Sequence, residues 1–295
     1  MTTSAQWWAG ARPRTLPAAV APVVIGTALA GADWIPARAF LALIVALALQ
    51  IGVNYANDYS DGIRGTDADR VGPLRLVGQG IAAPRAVRNA AFASFLIAAL
   101  AGLLLIALSG FWWLLIVGAA SIGAAWFYTG GTRPYGYAGW GEVFVLVFFG
   151  LVPVLGTLYV QTGTVTAAAI AASVGIGALT SAILVTNNLR DIPTDRSSGK
   201  LTLAVRLGET KTRRLYVALI VIAFIAVVMV ALVNSGDALW PLLGLAALPW
   251  AVPPLRVVTS GAVGPGLVAA LIGTGRLVIA YSVALSTGLV LPLFI

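Results

Sequence analysis

The chain contains neither cysteine nor histidine. The first absence excludes disulfides and thiolate metal sites. The second removes the side chain that most often moves protons near neutral pH and most often binds metals. Any chemistry must therefore rest on carboxylates, carboxamides, tyrosine, lysine or arginine. Charge is also scarce: 9% of the 295 residues are charged, against roughly 25% in a soluble domain, so each of the 10 acidic residues is informative. No Gly-x-x-x-x-Gly-Lys phosphate loop is present, which argues against a nucleotide site. The net charge of +8 does not point to nucleic acid, because the basic residues lie between apolar spans rather than on one soluble face.

What is abundant is hydrophobic residue, at 60%. A helix needs about 20 apolar residues to cross a hydrocarbon core about 30 Å thick. On that measure the chain reads as an all-α integral membrane protein with nine transmembrane helices, at 16 to 32, 37 to 57, 87 to 108, 111 to 129, 141 to 161, 165 to 189, 214 to 233, 238 to 257 and 276 to 295. Arg12 and Arg14 before an apolar stretch ending at Ala28-Leu29-Ala30 superficially resemble a cleaved leader. Pro13, Pro17 and Pro22 crowd that stretch, and the expectation is that it is kept as the first span.

Apart from Arg38 and Arg276, the 18 basic residues fall on the N-terminus and the even-numbered connections. By the positive-inside rule those segments are cytoplasmic, with the C-terminus outside. Arg276 either opens the last span or lies within a longer one beginning near Gly266. The cost of a charge at mid-bilayer, about 2.5 to 3.5 kcal/mol, favours the helix start.

The second and sixth spans end in related polar clusters. The first reads Asn54-Tyr55-Ala56-Asn57-Asp58-Tyr59-Ser60-Asp61, the second Asn187-Asn188-Leu189-Arg190-Asp191-Ile192-Pro193-Thr194-Asp195, and both contain Asn-x-x-x-Asp. Spans one to four and five to eight then read as two four-helix repeats, with span nine added and the clusters facing a common cavity. Residues three, four and seven apart share a helical face, so each helix end presents carboxylates and carboxamides together, although Pro193 is placed to end or kink the second helix.

Closely packed carboxylates repel unless a cation neutralises them. Oxygen donors alone suit Mg²⁺, commonly with substrate phosphates. Asp58, Asp61, Asp191 and Asp195 are the candidate catalytic and metal-binding residues, with Asn54, Asn57, Asn187 and Asn188 beside them. Arg64, Arg70 and Arg75 follow the first cluster; Arg190, Arg196, Lys200 and Arg206 surround the second, and both groups suit phosphate oxygens. The plain alternative is a set of mixed charges at a membrane interface. A cation-coupled transporter would hold its acids near mid-bilayer, whereas these sit at cytoplasmic helix ends.

These motifs resemble those of the intramembrane aromatic prenyltransferase superfamily: Asn57-Asp58-Tyr59-Ser60-Asp61 running to Asp67 and on through Arg70 to Arg75 is similar to its first aspartate-rich motif, and Asp191-Ile192-Pro193-Thr194-Asp195 to its second. Ala11-Arg12-Pro13-Arg14-Thr15, Tyr128-Thr129-Gly130-Gly131, Tyr135-Gly136-Tyr137 through Glu142, and Gly199-Lys200-Leu201-Thr202 resemble the branch that prenylates 1,4-dihydroxy-2-naphthoate in menaquinone biosynthesis. The first motif departs from the superfamily's usual spacing: Gly65 stands where its last acid is expected, and Asp67 is the next acid.

The resemblance implies a nine-helix bundle around a central cavity in the cell membrane, Mg²⁺ as cofactor, and a polyprenyl diphosphate and an aromatic acid as substrates, with 4-hydroxybenzoate the alternative acceptor. In the naphthoate branch the prenyl group replaces a carboxylate that leaves as CO2. Tyr128 and Trp126 are candidates to face a carbocation or members of an interfacial aromatic belt. The segment from Gly130 to Gly141 reads either as a flexible loop or as a cap in which Arg133 and Glu142 orient the acceptor.

Overall fold

The computed structural model describes residues 2–65, 74–234 and 239–294, and within them the chain is helical with no strand. A short α1, Ser4–Gly10, is closed by a reciprocal cap between Thr3 and Gln6. It is followed by α2 (Pro17–Leu29), α3 (Pro36–Ile63), α4 (Pro84–Ser109) and α5 (Leu114–Phe127). Proline opens α2, α3 and α4, where its missing N–H costs nothing and its fixed φ suits the first turn. Next, α6 (Gly141–Leu146) runs through a π-helical turn at Val147–Leu151 into α7 (Val152–Thr162). The remaining helices are α8 (Ala167–Ser197), α9 (Leu203–Val233), α10 (Leu248–Thr259), which continues a 3-10 segment at Trp240–Ala247, and α11 (Val268–Val290).

Among the described residues, seven segments are long and apolar enough to cross a membrane: α3, α4, α6 with α7, α8, α9, the segment ending in α10, and the segment containing α11. The nine expected spans differ from this at two places. Helix α2 has 13 residues and α5 has 14, about 20 Å of rise each, short of a hydrocarbon core about 30 Å thick. Several expected ends also move. Helices α3 and α8 run on past 57 and 189 to Ile63 and Ser197, so both acidic motifs are helical, and Pro193 lies inside α8 without ending it. Helix α9 begins at Leu203 and bends at Gly208, whose φ of 74° only glycine adopts readily. Arg276 lies well inside α11, exposed, not at its start, because the chain already rises into the bundle from a 3-10 turn at Gly264–Leu267.

Helix α8 is the most enclosed, with 72% of its apolar window buried against 28% to 39% in the other six segments. It packs along α9 and against α11 and α6, in a core that includes Ile176, Leu179, Tyr216, Val227, Leu277 and Tyr281. Lipid tails are as apolar as leucine, so close packing rather than water exclusion holds such helices together. Small residues allow it: a Cβ on Gly150 would lie 2.6 Å from the Gly177 Cα. Three hydroxyls within α8 close on their own helix, Ser173 Oγ on Ile170 O, Thr180 Oγ1 on Ile176 O and Gly177 O, and Thr186 Oγ1 on Ala182 O, while Ser181 Oγ donates to Glu142 O of α6. Tyr216 and Tyr281 tie α9 to α11 through Thr274 Oγ1 at 2.7 Å and Ala223 O at 3.0 Å. A second core joins α3 and α4 through Tyr55, Val87 and Phe95, with Leu76 from the loop between them. Arg38 caps two other helices, donating to Leu108 O of α4 and Val160 O of α7, carbonyls that helix ends leave without partners.

Candidate active site

Helices α2 to α8 surround a cavity of about 580 Å³. Most of its wall is apolar, from Leu49, Gly102, Leu114, Phe148 and Val152 among others. One end is polar. There the C-terminal halves of α3 and α8 bring Asn54, Asn57 and Asp61 opposite Asn187, Asn188 and Asp195. On α3 the lining residues Asn57 and Asp61 lie four apart, with Asn54 about one turn further back; on α8 Asn188 and Asp195 lie seven apart, which is two helical turns. The spacing of four that relates the two motifs in sequence therefore puts both groups on the wall in α3 but not in α8, where Asn187 lines the cavity and Asp191 does not.

The four aspartates divide. Asp61 and Asp195 line the cavity; Asp58 and Asp191 are not on its wall. Asp58 is fully buried and accepts the backbone N–H groups of Leu76 at 2.8 Å and Val77 at 3.0 Å, so it holds the loop after α3 against the helix. Asp191 is gripped by both arms of the neighbouring Arg190 at 2.7 and 2.8 Å. Asp67 and Arg70 lie outside the described residues.

Lys200 reaches back from the turn after α8 to Asp61, Nζ to Oδ1 at 3.1 Å. That turn is held by Lys200 N donating to Asp195 O at 2.8 Å and Leu201 N donating to Tyr137 O at 3.0 Å. Tyr137 donates its hydroxyl to Asp61, and its ring lies 4.6 Å from Lys200 Nζ and 5.4 Å from the Arg64 guanidinium. Burial pushes the Tyr137 hydroxyl well above its usual value, and the charge on Asp61 pushes it further, so it remains a donor. Burial raises Tyr135 likewise.

Arg75 and Tyr128 also line the cavity. Arg64 does not; it closes on the carbonyls of Thr129 and Gly131. Trp126 stacks on Phe92 and Tyr59, packed with the second core. Arg133 is exposed, and Glu142 is buried behind Asn188, whose Nδ2 it accepts at 2.9 Å. In the expected capping segment it is thus Tyr137, not Arg133 or Glu142, that reaches the polar end. Its place was hidden because only the return of Leu201 brings it to Asp61. Arg12, Thr15 and Gln50 line the cavity as well. Arg12 holds a left-handed backbone, φ 53° and ψ 66°, rare for a non-glycine and typical of functional sites. Gln50 was legible, since 50, 54, 57 and 61 continue one helical face.

Among the described residues no three carboxylates gather as a ready metal cage. The wall nonetheless offers two carboxylates, Asp61 and Asp195, with the carboxamides of Asn57, Asn187 and Asn188. That donor set fits a hard cation that completes its shell with phosphate and water.

The UbiA prenyltransferase family model matches residues 19–261. The chain is 51% identical to the 1,4-dihydroxy-2-naphthoate octaprenyltransferase of Mycobacterium leprae, over 99% of this chain and 98% of that one. It is 52% identical to that of Mycobacterium tuberculosis, over 98% of each. Its fold is similar to that of a UbiA homolog from Archaeoglobus fulgidus solved with DMAPP and Mg2+, at a TM-score of 0.70 and 15% identity, covering 96% of this chain and 99% of that one. A helical membrane bundle whose acidic motifs meet across one cavity, with such relatives along almost its whole length, belongs to the UbiA prenyltransferase family.

Proposed function

We propose that the chain transfers a polyprenyl group from polyprenyl diphosphate to 1,4-dihydroxy-2-naphthoate with loss of diphosphate and CO2, giving demethylmenaquinone in its quinol form. The observation that carries this is the division of the cavity into a polar end and a long apolar wall, which suits a charged head and an isoprenoid tail. The two mycobacterial relatives act, by name, on the same acceptor.

The allylic C–O bond breaks and its electron pair leaves with the diphosphate. The ring carbon bearing the carboxylate attacks the allylic cation, and the pair of the departing C–C bond restores the aromatic ring as CO2 leaves. No proton is taken from the ring, so no general base is needed, in keeping with a chain that has no histidine. Lys200, Arg75 and Arg12 supply positive charge around the diphosphate, and Tyr128 offers a ring face to the cation. Asp61 and Asp195, with Asn57, Asn187 and Asn188, would hold Mg²⁺, as a divalent metal accompanies the prenyl diphosphate in the archaeal homolog. Bound there, it neutralises charge that develops on the leaving diphosphate. Asp67 and Arg70 are proposed as further substrate-binding residues. Asp58 and Arg64 position the loops, and Arg190 positions Asp191.

The membrane is proposed to be the cell membrane, with the N-terminus and polar end cytoplasmic. Helices α2 and α5 complete nine crossings, arranged as two four-helix repeats with α11 added. The reading is tested with purified protein in lipid, Mg²⁺, a polyprenyl diphosphate and carboxyl-labelled 1,4-dihydroxy-2-naphthoate. Labelled CO2 should appear one for one with prenylated product. Turnover of 4-hydroxybenzoate alone would reject it.

A further inference from the structure

Thr15, Gln50 and Asn54 form a closed polar group in the cavity wall. Thr15 Oγ1 donates its one proton to Arg12 O at 2.8 Å. It therefore accepts from both neighbouring carboxamides, Gln50 Nε2 at 2.8 Å and Asn54 Nδ2 at 3.0 Å. Because the hydroxyl has no second proton to give, Gln50 must present its NH2 to Thr15, which fixes the amide and turns Oε1 the other way. That oxygen is buried, in a residue only 5% exposed, and has no hydrogen-bond partner among the described residues. A buried acceptor left unmatched costs about 1–3 kcal/mol, so the group is built for something that arrives.

Of the substrates, the isoprenoid tail carries only C–H groups, and the ionised diphosphate carries only acceptors. Gln50 is also 11 residues before Asp61, about 16 Å along α3, with its amide sharing Thr15 with Asn54. Only the aromatic acceptor brings O–H donors to this level. Resting on the acceptor class proposed above, we infer that Gln50 is a specificity-determining residue whose Oε1 accepts a hydrogen bond from a ring hydroxyl of the acceptor, with Thr15 as its positioning residue. The cavity then prefers the reduced, hydroxyl-bearing ring to analogues in which that hydroxyl is missing.

The test measures equilibrium binding to the full chain in nanodiscs, using 1,4-dihydroxy-2-naphthoate, 1-hydroxy-2-naphthoate and 4-hydroxy-2-naphthoate. The unmodified protein should bind the dihydroxy compound about tenfold more tightly than at least one monohydroxy analogue. In Gln50→Met that gap should close to about twofold or less, with affinity for polyprenyl diphosphate unchanged. Thr15→Val should narrow the same gap. The analogue series on the unmodified protein serves even if a variant fails to fold: equal binding of all three overturns the inference. So does a Gln50→Met protein that keeps the gap, or one that loses diphosphate affinity equally. An unmodified protein that binds none of the three and prenylates another acid instead overturns the acceptor reading itself, and the inference with it.

Discussion

Lys200 Nζ lies 3.1 Å from Asp61 Oδ1, joining residues 139 apart in the chain. Asp61 lies in the last turn of α3 and Lys200 in the turn just after α8 and its acidic motif, so this pair fastens the two sides of the polar end. Both side chains are at most 7% exposed, which removes the pair from the regime where solvent makes ion pairs nearly worthless.

Lys200→Met should therefore destabilise the fold by about 3–5 kcal/mol, because it removes the ammonium from a buried carboxylate. Asp61→Asn combined with Lys200→Met should recover most of that stability while activity stays lost. Denaturant unfolding of the parent, both single variants and the double variant in detergent gives the coupling directly.

The four aspartates should behave as two pairs. Asp195→Asn is expected to cut turnover at least about a hundredfold with little change in melting; Asp61→Asn should cut it likewise but also lose stability, since it leaves the buried Lys200 ammonium without its carboxylate, and both should shrink the gain in diphosphate affinity that Mg²⁺ gives the parent. Asp58→Asn should cost stability instead, about 1–3 kcal/mol, since a carboxamide has one oxygen for the two backbone N–H groups of Leu76 and Val77. Asp191→Asn releases Arg190 in the same way. Turnover per folded molecule in these two should stay much closer to the parent. Calorimetry alongside initial rates separates the pairs.

Tyr137 makes a pH prediction. Its hydroxyl titrates above the ordinary 10.0, first through burial and then through the charge of Asp61. The fold thus favours the neutral phenol, a contribution fully present below about pH 10 and lost as pH rises through the elevated value. The stability difference between the parent and Tyr137→Phe should be flat below pH 10 and fall above it. A difference that grows with pH would contradict the buried-donor assignment.

The proposed topology has the C-terminus outside the cytoplasm. A reporter that works only outside should be active when fused after Ile295. A stable but silent fusion would mean that α2 or α5 does not complete its crossing.

Much of the architecture was legible because a crossing helix must be apolar along its length, and the ends of α4 lie within three residues of those expected from hydropathy. The short helices were not, since hydropathy does not report where the proline-rich start of α2 begins to rise. The site was legible as residue types on a helical face, and Asn54, Asn57 and Asp61 face the cavity as the spacing requires. Asp58 sits about 60° round the helix from Asp61. Only the returning backbone at Leu76 and Val77 decides that it serves the loop. Likewise no spacing rule reveals that Arg190 turns onto its own neighbour.

The hydroxyls of α8 have a consequence for synthesis. This helix is the most enclosed of the crossing segments, yet it leaves the ribosome before α9, α10 and α11 exist to cover it. Ser173, Thr180 and Thr186 already give their protons to carbonyls of α8 itself, and Ser181 gives its proton to Glu142 O of α6, which is made earlier, so these four hydroxyls need not enter hydrocarbon unmatched. The innermost helix can wait in lipid until its neighbours are translated.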